Sequence, residues 1–423
     1  FLLFKNPICN IAVITMEESA TSKSGKLNQF FGNKLVHPSL KDVSCKESFI
    51  DCFLMLYDEC VRDSSSSTSV SRDAIKYVNK YTDAIDTLRT MFVNKEDFEV
   101  QHIIGRGHFG EVQVVKEKNT TDNYYAMKVL KKSETLSQDE ICFFNEERDI
   151  MAKANSSWLT KLLYAFHDDD FLYLVMEFHP GGDLLSLLSR CDNRLEESAC
   201  RFYAAECVLA IHSLHMMGYV HRDIKPDNIL LDSSGHVKLA DFGSAARLSP
   251  NNTVLSKMPV GTPDYIAPEV LSGLEYGGTY GIECDWWSLG VMIYEMLFGQ
   301  TPFTGDTIIS TYGRIMGYKD TFSIPPHVSV SDSAKLLLKE LITDQSERLA
   351  YNGLGCHPFF DGINWATLRS TVPPHVPELN GYGDIAYFDT FDDASNTAAD
   401  FQTDLQTLKK QLPFAGFTYI KDL

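Results

Sequence analysis

The spacing of apolar residues divides the chain into three parts. Up to about residue 95 the pattern is helical. The run "SFIDCFLMLYDECV" (Ser48 to Val61) is apolar on almost every side, more than a solvent-facing helix tolerates. After a serine tract, Ser64 to Ser67, comes "SRDAIKYVNKYTDAIDTLR". Here Ile75, Val78, Ile85 and Leu88 recur at helical spacing behind Ser71 as N-cap. Such helices either fold back as a hairpin on their own chain or form a bundle shared by two copies. Helices apolar on two faces favour the bundle, so residues ~40–95 are expected to form a homodimer together with part of the tail.

From Phe98 the period shortens to two. "DFEVQHIIGRGHFGEVQVVKEKNTTDNYYAMKVL" alternates and is broken by turn residues at Asn119 to Asn123, which predicts antiparallel strands. Beyond Pro180 the pattern is one of long helices, including Ser198 to Met217 and Cys284 to Phe298. A small β-rich part followed by a larger helical part predicts an α+β chain of two lobes with a cleft. After Phe360 few segments are periodic, and the stretch reads as an extended tail lying on the body.

Composition changes this picture little. Hydrophobic residues at 44% and charged residues at 22% describe an ordinary globular chain with ample core. Lys+Arg 38 against Asp+Glu 57 leaves a net charge of -19, which argues against nucleic acid as the main partner. That surface suits solubility, or attraction of basic peptides. No stretch offers the ~20 uninterrupted apolar residues of a membrane helix, and no direct membrane insertion is expected. The ten cysteines show neither a C-x-x-C pair nor zinc spacing, and read as scattered buried thiols of a reducing compartment. A start at Phe1 rather than Met reads as a piece of a longer protein.

The chemistry begins with "GRGHFGEV", which holds Gly105, Gly107 and Gly110. A lone G-x-G-x-x-G is weak, and a dinucleotide-binding fold needs a helix directly after it. Here "EVQVVKEK" alternates, so the glycines cap a β-hairpin whose backbone N–H groups can lie over phosphates. Lys128 in "YAMK" would meet phosphate oxygens as a point charge. Its partner carboxylate is expected in "FFNEERDIM". Glu147 is preferred to Glu146 because it lies one helical turn before Met151. The later runs "HRDIKPDNILL" and "LADFGSA" are far more specific. Asp223 is positioned to accept a hydroxyl proton, Lys225 to neutralise a transferring phosphoryl group, and Asn228 and Asp241 to hold Mg²⁺. Phosphoryl transfer asks a protein mainly for positioning and charge neutralisation, which these residue types supply.

From about Phe98 to Phe360 the chain resembles the eukaryotic protein kinases, with "APE" (Ala267 to Glu269), "DWWSLG" (Asp285 to Gly290) and Arg348 in "SERL" completing the pattern. The resemblance implies a bilobal kinase fold: an N-terminal helical extension over 1–95, a kinase domain over 96–360 (small lobe 98–178, large lobe 179–360) and a tail over 361–423. It implies ATP and Mg²⁺ as cofactors. The nucleotide would be held by Ile104, Gly105, Arg106, Gly107, His108, Phe109, Gly110, Val112 and Lys128, with Met176 as gatekeeper and Glu177 and Phe178 on the hinge. Arg348 would pair with Glu269 as scaffold, and Met151, Leu162, His221 and Phe242 would stack between the lobes. Lys225 and Thr262 look like Ser/Thr rather than Tyr kinases.

The tail run "LPFAGFTYI" resembles the hydrophobic motif of the AGC group, with Thr418 as a regulatory phosphosite and Phe414 and Phe417 docking on the small lobe. Within that group the chain is similar to the Rho-associated, myotonic-dystrophy and citron kinases, "DFGSAA" and Met258 being most like the citron kinases. This branch implies Ser/Thr substrates in a basic context, read by Asp183, Asp227, Glu295 and Thr262. It also implies a Rho-type GTPase partner bound outside this piece, and a cytoplasmic, cytoskeleton-associated role at the cleavage furrow and midbody in cytokinesis and actomyosin regulation. Relatives carry a phosphorylatable residue at the place of Met258, which pairs with the equivalent of Arg222. Met258 cannot be phosphorylated, so a segment ordered by packing is expected, with Ser256 or Thr253 as the competing phosphosites. The alternative function is a dimeric kinase-fold scaffold with little or no catalysis.

Overall fold

The computed structural model describes residues 50–55, 57–58, 61, 72–107, 110–135, 138–255, 259–276, 278–326, 328–389, 391 and 412–421. Ser71, His108, Phe109, Ser256 and Met258 lie outside the described residues, so the readings placed on them rest on sequence alone. Two compact units emerge. One takes residues up to Ile141, Leu162–Glu177 and Thr390 onward; the other takes Cys142–Lys161 and Phe178–Asp389.

In the first unit, six strands of the described residues form one antiparallel sheet. They are β1 (Phe98–Gly107), β2 (Gly110–Glu117), β3 (Tyr124–Lys131), β4 (Leu162–His167), β5 (Phe171–Glu177) and β12 (Tyr419–Ile420), in the order β1-β2-β3-β5-β4-β12. Along β3, Ala126, Met127, Val129 and Leu130 are buried on either side of a half-buried Lys128, so this strand inside the sheet is covered on both faces. Val115, Tyr164, Phe166 and Val175 join those two in a core that also takes Met91 and Val93 from before β1 and Ile420 from the tail.

Helix α1 (Arg72–Thr90) packs with the helical residues around 50–58: Tyr57, 3% exposed, shares a hydrogen bond with Thr82 Oγ1 at 3.0 Å, and Arg89 pairs with Asp58. The apolar residues expected to need a second copy are therefore covered in part within the chain. The tail enters the same unit. Tyr419 and Ile420 pair with Ala165 and Tyr164 of β4, and Phe414 and Phe417 are buried. Beneath them lies a buried polar chain. Lys132 Nζ donates to Asp168 O at 2.6 Å and sits 3.1 Å from His167 Nδ1. His167 Nε2 in turn faces Asp51 Oδ1 at 3.1 Å, and Gly416 N–H donates to Asp51 Oδ2 at 3.0 Å. Lys132 therefore reads as charged, with a neutral imidazole between it and the Asp51 carboxylate.

The second unit is mainly helical. Helix α2 (Gln138–Lys153) begins in the first unit and contributes most of its length here. It is followed by α3 (Leu184–Arg190), α4 (Glu197–Met216), α5 (Pro268–Tyr276), α6 (Glu283–Phe298), α7 (Ile308–Met316) and α8 (Asp332–Leu341). Helices α4 and α6 are apolar on nearly all faces, which forces them to the centre. Trp286 and Trp287 are almost wholly buried there, and α6 ends at Gly299 in a left-handed cap with φ 80°. Among the described residues three two-stranded ladders decorate this unit: β6 (Tyr219–Val220) with β9 (Ala246–Arg247), β7 (Ile229–Leu231) with β8 (Val237–Leu239), and β10 (Val254–Leu255) with β11 (Thr279–Tyr280). The cysteine expectation needs one correction. Cys200, Cys207 and Cys284 are buried, but Cys356 is exposed.

Candidate active site

The loop His221–Asn228 hangs from α6. Asp285, fully buried, accepts the Arg222 backbone N–H at Oδ1 at 2.8 Å and the His221 backbone N–H at Oδ2 at 2.9 Å, and His215 Nε2 lies 2.7 Å from Oδ2. Burial alone would raise the Asp285 pKa; the hydrogen bond and charge of His215 outweigh it, and the carboxyl sits below its ordinary range. His221 donates from Nε2 to Ala240 O at 3.1 Å and accepts the Asp223 N–H at Nδ1 at 3.3 Å, which sets a neutral tautomer.

Around Asp223 three side chains converge. Its Oδ1 accepts from Thr262 N at 2.8 Å and Thr262 Oγ1 at 2.7 Å. Its Oδ2 lies 3.1 Å from both Lys225 Nζ and Asn228 Nδ2. Lys225 also donates to Thr262 Oγ1 at 2.8 Å, and Asn228 Nδ2 to Asp223 O at 2.8 Å. With its amide N engaged on Asp223, Asn228 keeps a carbonyl oxygen to offer a cation. Asp241 follows Ala240, whose N–H is bonded to Asn228 O at 3.0 Å; it is exposed, with a left-handed φ of 54°. These are hard oxygen donors, the set that suits Mg²⁺. Among the described residues no cluster of three or more His, Cys, Asp or Glu could hold a metal by itself. A cation here would draw the rest of its shell from phosphate oxygens and water, as Mg²⁺ commonly does.

In the first unit the glycine hairpin closes with Gly107 opposite Gly110 and Gly105 opposite Val112. Gly110, at φ 157°, has no room for a side chain, since a Cβ would lie 1.8 Å from Val129 O. A Cβ at Gly107 would meet no atom of the described residues within 4 Å, which leaves the backbone there open to close approach by a ligand. Arg106 faces Glu111 across the hairpin at 3.9 Å and stacks over Phe391. Ile104 is half-buried on β1. Lys128 is paired between Val112 and Leu174, Met176 between Ala126 and Leu162, and Glu177 with Tyr125.

A protein kinase domain profile matches residues 98–360. The chain belongs to the protein kinase family. It is 44% identical to citron Rho-interacting kinase of Homo sapiens over 412 residues, 96% of this chain and 20% of that protein. It is likewise 44% identical to the Rattus norvegicus citron rho-interacting kinase over 428 residues, 100% of this chain and 21% of that one. It is 47% identical to serine/threonine-protein kinase MRCK alpha of Mus musculus over 380 residues, 88% of this chain and 22% of that protein. The chain thus spans about a fifth of the length of these relatives.

Within the kinase domain, Glu147 and Met151 are both 1% exposed on one face of α2, while Glu146 takes a different set of partners. Arg348 grips Glu269 with both Nη atoms and also donates to Glu283 O and Thr343 O, a four-bond scaffold joint. Asp183 caps α3 through Ser186 N at 2.6 Å, and burial followed by the charge of Asp227 works to raise its carboxyl pKa. Glu295 accepts the Tyr265 hydroxyl at 2.5 Å, and its carboxyl is also pushed up, by burial first and then by Asp227 and Asp264. Asp227, itself exposed, therefore acts electrostatically on both.

Two contributors were not foreseen. Asp264 accepts from Thr304 Oγ1 at 2.6 Å and adds a fourth carboxylate to this group; it stands inside "GTPDY", so only its role was missed. Phe388 stacks on Phe178 at 5.7 Å. Aromatic residues in the polar stretch "YFDTFDD" were its signal. Thr418 lies 4% exposed beside the tail strand.

Proposed function

We propose that this kinase transfers the γ-phosphoryl group of Mg·ATP to Ser or Thr hydroxyls of proteins carrying basic residues near the target. The convergence of Asp223, Lys225, Asn228 and Thr262 carries this reading. Mg·ATP, when bound, supplies the phosphoryl group and the charge-neutralising cation. Asp223 orients the substrate hydroxyl and takes its proton as the new O–P bond forms and the bond to ADP breaks. Lys225, fixed by Asp223 and Thr262, offsets the charge on the phosphoryl oxygens in transit. Asn228 and Asp241 would hold the metal. The hairpin N–H groups around Gly105–Gly110, with Ile104, Arg106, Val112, Lys128, Met176 and Glu177, would hold the nucleotide.

Asp183, Asp227 and Glu295, with Asp264, form the acidic surface that selects Arg or Lys in the substrate. By likeness to relatives named as Rho-interacting, a Rho-type GTPase partner and a cytoskeletal setting in cytokinesis follow. Among the described residues no helix is long and apolar enough to cross a membrane. The segment before Phe98 is proposed to serve dimerisation.

The test is transfer from Mg·ATP to a basic Ser/Thr peptide, with Asp223→Asn as control. Robust transfer by the wild type and its loss in the variant is the expected result. No transfer by the wild type would leave the scaffold reading in its place.

A further inference from the structure

Arg222, next to the proposed proton acceptor, is a cation with only 7% exposure, and its backbone is held in the left-handed region at φ 70°. A buried guanidinium is costly unless each face is engaged. Its backbone N–H goes to Asp285 Oδ1, its Nε donates to Ser244 O at 2.6 Å, and its Nη1 donates to the Tyr280 hydroxyl at 3.3 Å. From α2, Glu146 lies within its field. Burial raises the Glu146 pKa, Arg222 pulls it back, and the Arg247 N–H hydrogen-bonds that carboxylate. The carbonyl of Arg222 is also in close use. Gly261, at φ 118°, leans on it so tightly that a Cβ would lie 2.4 Å away.

Tyr280 is 1% exposed and does two things at once. Its backbone pairs with Val254, and its neighbour Thr279 pairs with Leu255, registering the segment between Asp241 and Glu269. Its phenol meets Arg222 in the catalytic loop.

We propose that Tyr280 is a positioning residue: its hydroxyl holds Arg222, and through it the Asp223 loop, in register with the segment from Asp241 to Glu269, with no phosphate needed. This rests on the kinase reading above. Neither Ser244 O nor Tyr280 depends on modification, and Met258 cannot carry one. Glu146 of α2 lies in the field of the same cation.

The experiment uses the full chain, phosphatase-treated, in four forms: wild type, Tyr280→Phe, Arg222→Met and the double variant, with Arg222→Lys replacing Arg222→Met if the latter does not fold. Tyr280→Phe keeps the ring and the ladder and removes only the oxygen facing a charged donor. We expect kcat to fall about tenfold with KM for Mg·ATP within about twofold, beside a small fall in melting temperature because a buried donor of Arg222 loses its acceptor. In the Arg222 background the same substitution should cost less than about twofold, because the partner is already gone. Equal losses of kcat in both backgrounds would mean a merely structural phenol and overturn the proposal. Full activity in Tyr280→Phe beside an active wild type would overturn it alone. A wild type without transfer would overturn the kinase reading and this one with it.

Discussion

Lys132 offers a test of how the tail is held. The side chain is fully buried at the end of β3, beneath Phe414, whose ring centroid lies 4.8 Å from Nζ. Burial is the largest influence and lowers its pKa from 10.5 to about 8, although Asp168, Asp169, Asp51 and Asp170 pull the other way. The folded state therefore binds this proton more weakly than the unfolded chain does. Below pH 8 both states are protonated and the full penalty applies. Between about 8 and 10.5 the folded protein releases the proton while the unfolded chain keeps it, so stability rises with pH through that window.

At 1.36 kcal/mol per unit, the whole shift amounts to about 3 kcal/mol, and about 2 kcal/mol of it should be recovered between roughly pH 7.5 and 9.5. Lys132→Met removes the penalty but also the bond to Asp168 O and the contact with Phe414, each worth about 1 kcal/mol or more, so near pH 7.5 the two proteins should be close in stability. Urea unfolding followed by circular dichroism, taken as wild type minus variant at each pH, cancels the buried phenols and thiols that titrate in the same range. The difference should grow in favour of the wild type by about 2 kcal/mol over those two pH units. A difference that stays flat or narrows would refute the buried-cation account.

Phe417→Ala, at a site 1% exposed, should cost about 3–5 kcal/mol locally and release the tail, read as faster amide exchange in β12 and a lower kcat/KM; unchanged exchange would exclude docking as the tail's function. Thr418→Asp should mimic that release, because a charge at 4% exposure cannot stay docked, and limited proteolysis of the tail reports it; a tail cut no faster than wild type would show that the site accepts charge. Asp227→Asn should weaken selection of Arg and Lys in a peptide library about tenfold at the affected position without altering kcat on the best peptide, and an unchanged profile would move the recognition elsewhere. Light scattering of the full chain and of one starting at Lys95 should give dimer and monomer; two monomers would assign the helices to the cis packing seen between Tyr57 and Thr82.

The alternation of residue types and the turn chemistry made the strands from Phe98 to Lys131 legible, although burial along them does not alternate strictly. Helices α4 and α6 were legible for the opposite reason, being apolar all round, and each begins one residue before its expected start. The catalytic loop was legible because its residues are close in sequence and chemically specialised. What stayed hidden was whatever distant chain segments supply. Tyr280 stands 58 residues from Arg222, and nothing local marks its phenol as a partner. The chain from Lys132 through His167 and Asp51 to Gly416 joins parts separated by as many as 365 residues, each an unremarkable polar residue in its own context. Such pairings leave no periodicity, since a single buried contact constrains one position per segment. They matter most where a kinase domain differs from its relatives in regulation. If the loop is held by a phenol and the tail by a lysine under an aromatic ring, activity should respond to anything that moves the N-terminal helix carrying Asp51, with no phosphate added or removed.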